Sequence, residues 1–147
     1  MNAPESVPAP REFKNHDLVD DIAKPGVRYE RRPARRPDGS EVAGLFNAWI
    51  TLDNPSQYNS YTTDMVKGVI LAMRAASNAR DVNCVVFTGA GDKAFCSGGD
   101  LKERNGMTDE TWRLQHAIFE EAFYAVMDSS VPVIAAVKGE TTGAGLG

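Results

Sequence analysis

Gly91–Leu101 reads GDKAFCSGGDL, and the chain is organised around it. An apolar run, Val82–Phe87 (VNCVVF), feeds into it, and Gly98 and Gly99 fall where a chain leaving a buried strand must turn. Backbone amides at such a turn face a cavity with no side chain in the way. A second module of the same kind follows: Val131–Gly139 (VPVIAAVKG) delivers the chain into the glycines of Gly143–Gly147 (GAGLG). Both runs are apolar on both faces, the pattern of buried parallel strands. In open α/β folds, loops at the carboxyl ends of such strands hold ligands.

The segments around the two loops complete an α/β pattern. Residues 27–32 and 42–52, joined by Pro37-Asp38-Gly39-Ser40, read as a β-hairpin. Phe46, Ala48, Ile50 and Leu52 share one face of its second strand. A helix capped at Thr62 or Thr63 runs to about Arg80 with Met65, Val66, Val69, Ile70, Met73 and Ala76 on its apolar face. Hairpin, helix and strand then make a βαβ crossover. Thr108 caps a second helix, on which Trp112, His116, Phe119, Phe123 and Val126 form a helical stripe that predicts a packed face. His116 on that stripe is expected at the packed boundary rather than as a catalytic base. Residues 1–25, with prolines at 4, 8, 10 and 25, read as a flexible arm, and His16 within it as a surface histidine.

Bulk numbers exclude several classes. At 147 residues, 42% hydrophobic and 24% charged, the chain can build one globular core. A net charge of −4 gives no global field for nucleic acid or an anionic membrane. No apolar run approaches the roughly 20 residues that span a bilayer. Cys84 and Cys96 lack metal-ligand spacing and read as reduced thiols, so a cytoplasmic location is expected and no metal site. Arg28, Arg31, Arg32, Arg35 and Arg36 crowd the hairpin, either as a solvated strand edge or as a contact to ligand phosphates or a neighbouring subunit.

Three readings of the glycine loops compete. Phosphate cradles need GxxxxGK followed by Ser or Thr, which neither loop has, and GAGLG cannot complete a dinucleotide fingerprint. Glycines that only permit tight turns are a second reading. Paired backbone donors for a carbonyl oxygen that becomes an anion are the third, favoured if the second loop opens a helix whose N-terminus adds partial positive charge.

Read together, VVFTGAGDK, AFCSGGDLKE and PVIAAVKG followed by GAGLG resemble the crotonase (enoyl-CoA hydratase/isomerase) superfamily. The resemblance covers about residues 45–147, and the portion up to about Cys96 is similar to a branch that hydrates a conjugated enoyl thioester and then opens its ring. The segment after Cys96 is more similar to general members. The implied fold is α/β, a crotonase-like ββα spiral (the ClpP/crotonase fold), incomplete at this length, with residues 26–147 as a truncated N-terminal part of an acyl-CoA domain. The implied substrate is an acyl-CoA thioester whose enolate is held by the amides of Gly99 and Ala144. Coenzyme A would enter as part of the substrate, with no separate cofactor. Gln57, Tyr58 and Asn59 would flank its phosphates. Ala94, Ser97, Gly98, Gly99, Asp100 and Leu101 would hold adenine and pantetheine, and Thr142 and Gly143 would line the thioester pocket. The implied assembly is a homotrimer or homohexamer.

The sequence departs from the family at Gly147, where two-glutamate hydratases carry a carboxylate. No acid or base is assigned within 1–147: Asp100, Glu103, Asp109 and Glu110 read as caps, surface residues or helix starts. Beside the ring-opening reading stand a general enoyl-CoA hydratase or isomerase, which Gly147 tilts towards isomerase, and a non-catalytic acyl-CoA-binding protein.

Overall fold

The computed structural model describes residues 25–146. The arm expected over residues 1–25, with His16, and the departure at Gly147 therefore lie outside the described residues, Pro25 excepted. Six strands and three α-helices follow in order: β1 (Val27–Arg35), β2 (Glu41–Leu52), α1 (Thr63–Asn78), β3 (Val82–Gly89), β4 (Ala94–Cys96), α2 (Leu101–Arg104), α3 (Asp109–Met127), β5 (Val133–Ala135) and β6 (Glu140–Thr141). No described helix is long and apolar enough to cross a membrane.

The main sheet has the order β1-β2-β3-β5. β1 and β2 form the expected hairpin, with Val27 opposite Leu52. At its turn the Asp38 carboxylate accepts from Ser40 N at 2.8 Å, and Gly39 takes a φ of +86° that other residues resist. The chain then crosses through α1 so that β3 runs parallel to β2, with Ile50 beside Phe87. Thr62 caps α1 by accepting from Met65 N at 3.2 Å. The α1 face carrying Met65, Ala72, Met73 and Ala76 packs with Ala48, Ile50 and Val85 into the core. Fully burying each large aliphatic side chain contributes about 1.5–3 kcal/mol.

Beneath the strand ends lies a second, two-stranded parallel sheet of β4 and β6, with Ala94 opposite Glu140 and Cys96 opposite Thr141. Tyr61 extends this layer through a single parallel bridge to Gly99.

One expectation needs correction in part. Of the stripe Trp112, His116, Phe119, Phe123 and Val126, Phe119 and Val126 face inward, whereas Trp112, His116 and Phe123 are exposed, as are Tyr124 and Met127. The inward positions are Gln115, Ile118, Phe119, Ala122, Ala125 and Val126, a face rotated about the helix axis. A 3.6-residue period admits both stripes, and only the partner helix chooses between them. His116 is exposed, stacked on Trp112 with centroids 5.5 Å apart, and its Nε2 lies 3.4 Å from Glu120. β5 runs parallel to β3, as expected, and among the described residues borders only that strand, with Ile134 exposed. The Gly143–Leu146 segment, at the limit of the described residues, forms a 3-10 turn.

The hairpin arginines are matched locally. Arg28 pairs with Asp53 at 3.0 Å, Arg31 with Asp81, Arg32 with Glu30 at 2.9 Å, and Arg35 with Glu41 at 3.0 Å. Arg32 also lies 4.1 Å above the Trp49 ring. This favours the solvated-edge reading over a phosphate contact.

The two sheets meet at Gly89. A Cβ there would stand 2.3 Å from Phe95 O and 2.6 Å from Ala94 O. Backbone cannot give way cheaply, so Gly89→Ala is expected to destabilise by about 3 kcal/mol. Gly39→Ala, with open space around it, should cost about 1–2 kcal/mol of backbone strain alone. Urea midpoints of the two variants check the difference.

Candidate functional site

Three segments assemble the site: the loop before α1, the loop between β4 and α2, and the turn after β6. In the first, Tyr58 and Asn59 both take left-handed backbone, with φ of +55° and +54°. Asparagine tolerates this conformation better than most residues. Asn59 is wholly buried (0% exposed). Its Nδ2 donates to Ala90 O and Ala94 O, each at 2.9 Å, and its Oδ1 accepts from Asn54 N at 3.0 Å. This corrects the phosphate-flanking role expected of Asn59, because its carboxamide is occupied inside the protein. Gln57 and Tyr58 present their carbonyls to Ser97: Ser97 Oγ donates to Gln57 O at 3.3 Å and Ser97 N to Tyr58 O at 3.1 Å. The Tyr58 side chain is exposed, and Ala94 is buried.

In the second segment, Tyr61 N donates to Gly98 O and Asp100 N donates to Tyr61 O, both at 2.9 Å. A parallel bridge of this register uses the groups on either side of Gly99 and passes over Gly99 itself. Its N–H therefore has no acceptor among the described residues. Gly98 has φ of +94°, and a Cβ there would be 3.3 Å from Ala144 N and 3.5 Å from Thr142 O, so the two glycine loops touch.

The third segment is tied to the second. Thr142 N donates to Cys96 O at 3.1 Å, and Thr142 Oγ1 to Ser97 O at 3.3 Å. Gly145 N closes onto Thr142 O at 3.0 Å. This leaves the amides of Gly143 and Ala144, at the head of the turn, without an acceptor among the described residues. The free amide of Gly99 and those of this turn thus sit on loops in contact, and none depends on a side chain.

The carboxylates nearby are engaged. Asp100 caps α2, accepting from Lys102 N at 2.8 Å and Glu103 N at 3.2 Å. Glu103 accepts from Thr63 N at 2.9 Å, Thr63 Oγ1 at 3.1 Å and Gln115 Nε2 at 3.1 Å. Leu101, first in α2, is exposed. The sequence reading missed Gln115 and its link to Glu103: one buried glutamine in a helix carries no pattern that sets it apart. Burial pushes the Cys96 thiol up from its ordinary value, against the opposing hydrogen bond from Gly98 N at 3.4 Å. Burial likewise raises the Tyr61 phenol, with Cys96 adding and the Arg104 charge opposing. A protonated Cys96 is a poor nucleophile. Among the described residues no group of three or more His, Cys, Asp or Glu could hold a metal ion. A groove of about 250 Å³ opens between Pro55 and the Gly91–Ala94 loop. The larger one, about 350 Å³ between α1 and α3, contains none of these loop residues.

Comparison with known proteins follows this geometry. The family model described as enoyl-CoA hydratase/isomerase matches residues 47–147. The 6-oxocyclohex-1-ene-1-carbonyl-CoA hydrolase of Thauera aromatica is 51% identical over 140 residues, covering 93% of this chain and 37% of that protein. The protein of the same name from Geobacter metallireducens is 47% identical, covering 93% of this chain and 38% of its own length. The chain thus spans little more than a third of these relatives. The match extends over 93% of the chain, well past Cys96. Among solved structures, an enoyl-CoA hydratase/carnithine racemase from Magnetospirillum magneticum superposes with a TM-score of 0.71 at 27% identity, over 84% of this chain and 43% of that one.

Two outcomes test the site's construction. Asn59→Ala strands the Ala90 and Ala94 carbonyls and should lower stability by about 2–4 kcal/mol in denaturant unfolding. The raised Cys96 thiol stabilises the fold below its unfolded value near 9.0 and loses that contribution as pH rises through the raised one. Thermal midpoints should therefore fall above about pH 9, and fall less steeply in Cys96→Ala.

Proposed function

The chain belongs to the enoyl-CoA hydratase/isomerase family, of crotonase-like ββα fold, and from that premise we propose that it holds the enolate of an acyl-CoA thioester at the amides of Gly99 and Ala144. The observation that carries this reading is the presence of acceptor-free N–H groups, Gly99 on one loop and the head of the Gly143–Ala144 turn on the other, on touching loops. Each donor aimed at a developing oxyanion contributes on the order of 3 kcal/mol in the transition state. The acyl-CoA is the substrate and brings its coenzyme A with it. Gln57, Tyr58, Ala94 and residues 97–101 border the thioester's coenzyme portion, and Thr142 and Gly143 border its reacting end. Asn59 contributes by fixing the loop rather than by contact.

The specific reaction proposed is hydration and ring-opening hydrolysis of 6-oxocyclohex-1-ene-1-carbonyl-CoA, in the breakdown of aromatic acyl thioesters in the cytoplasm. It is supported by the 51% identity to a hydrolase of that name. Water adds to the ring carbon β to the thioester, placing negative charge on the thioester oxygen until the α-carbon takes a proton. A second water adds to the ring ketone. The bond between that carbon and the α-carbon then breaks, releasing a carboxylate and regenerating the thioester enolate. Both steps deliver charge to the same oxygen, so one pair of amides serves both. Asp100 and Glu103 are occupied as caps, so the described residues are assigned charge stabilisation and binding, with no proton-transfer role. A homotrimer or homohexamer belongs to the same reading, supported by the exposed apolar side chains of α3.

A general enoyl-CoA hydratase or isomerase is the second reading, favoured by the breadth of the family match. Gly99→Pro and Ala144→Pro each delete one donor. Each should lower kcat on the ring thioester by about 10²–10³-fold, with a smaller change in KM. Loss of the conjugated thioester's absorbance provides the assay. Full activity in both variants would sink the oxyanion reading, and turnover of crotonyl-CoA in preference to the ring thioester would favour the second.

A further inference from the structure

Arg104 ends α2, and its side chain turns back over the glycine loop. Its guanidinium carbon lies 5.3 Å from the centre of the Phe119 ring. A Cβ built on Gly99 would stand 2.8 Å from Nη2, so the guanidinium rests on the Gly99 Cα. Among the described residues this side chain meets no acceptor, and Nε is buried without a partner. The carboxylates closest in sequence cannot reach it usefully. Asp100 is held by the amides of Lys102 and Glu103, and Glu103 by Thr63 and Gln115. Tyr61 and Cys96 are the other titratable groups around it, and both are kept neutral by burial.

A half-buried cation without an acceptor is costly, because it has lost water and gained no partner. Beside it stands another unsatisfied donor, the Gly99 N–H. Two donors of different kinds, adjacent and both without acceptors, describe a receptor for two oxygens of one ligand. We infer that Arg104 is a specificity-determining residue that takes the carbonyl oxygen β to the thioester, while the Gly99 amide takes the thioester oxygen. In a β-keto thioester these two oxygens can lie on the same side of the molecule. A planar guanidinium fork suits a paired or charge-bearing oxygen better than a plain alkyl chain. The inference rests on the acyl-thioester reading above and adds to it which acyl groups the site prefers.

Calorimetric titration with acetoacetyl-CoA, which has the second carbonyl, and butyryl-CoA, which lacks it, tests the assignment. The wild-type protein should bind acetoacetyl-CoA more tightly by about tenfold or more, the scale of a hydrogen bond to a charged group. In R104Q the two thioesters should bind within about twofold of each other, with butyryl-CoA unchanged. R104K should keep part of the preference, having the charge without the fork. R104M keeps an unbranched apolar stem against Phe119 and removes the donors, so it should also lose the preference while keeping butyryl-CoA, and it covers the case in which R104Q fails to fold. A wild-type ratio preserved in R104Q or R104M overturns the inference, as does an equal loss of both thioesters. Failure of the wild type to bind either thioester overturns the acyl-CoA reading itself.

Discussion

The buried carboxamide of Asn59 is the interaction on which the rest of the site depends. It joins Asn54, Ala90 and Ala94, which belong to the loop before α1, the end of β3 and the start of β4. Inside the protein each of these bonds has no competing water, so losing one leaves a polar group unsatisfied. The same residue fixes the left-handed turn that aims the Tyr58 carbonyl at Ser97 N. Two residues later Tyr61 brackets Gly99 by its own backbone. A carboxamide far from any reacting atom thus sets the register of the loop that carries Gly99.

That register explains why free amides occur in an otherwise satisfied backbone. A parallel bridge one residue long bonds to the neighbours of its central residue and skips the residue itself. A 3-10 turn leaves its first donors unpaired. Gly99 and Ala144 are left open by these two different rules, and contact between Gly98 and the Thr142–Ala144 backbone brings the two exceptions together. Donors generated by topology do not rotate away as side chains do, which is the preorganisation that charge stabilisation requires.

Much of this was legible in the residues. Two runs apolar on both faces, each ending in glycine, gave the parallel strands and the loops at their ends. Thr62 and Thr108 declared their helices by capping chemistry. What could not be read were facts decided by a distant partner. The packed face of α3 is chosen by α1, not by its own periodicity, so Gln115 is buried and Trp112 is not. The run from Val131 reads as a buried parallel strand because its residues are apolar, and among the described residues it borders β3 alone. Asn59 reads as a loop residue flanking a ligand until the carbonyls of Ala90 and Ala94, more than thirty positions away, are seen to face it. Arg104, in a run of charged residues, gives no sign that it folds onto Gly99.

These placements divide the chemistry into holding charge and moving protons. The carboxylates beside the glycine loops are caps: Asp100 starts α2, and Glu103 satisfies the first amide and the hydroxyl of Thr63 in α1. Releasing either for proton transfer would unpin the helix it caps, so stability and acid–base work would compete at the same atoms. The loops avoid that conflict by offering only donors, and donors suit an intermediate whose charge appears on oxygen. On the proposed reaction that charge arises twice, once after water addition and once after ring cleavage, at one thioester oxygen. A site built from backbone amides and a cation that Gly99 leaves room for can meet both events without rearranging. The substituent that distinguishes this substrate from a simple enoyl thioester is the ring ketone, and the guanidinium of Arg104 rests on Gly99.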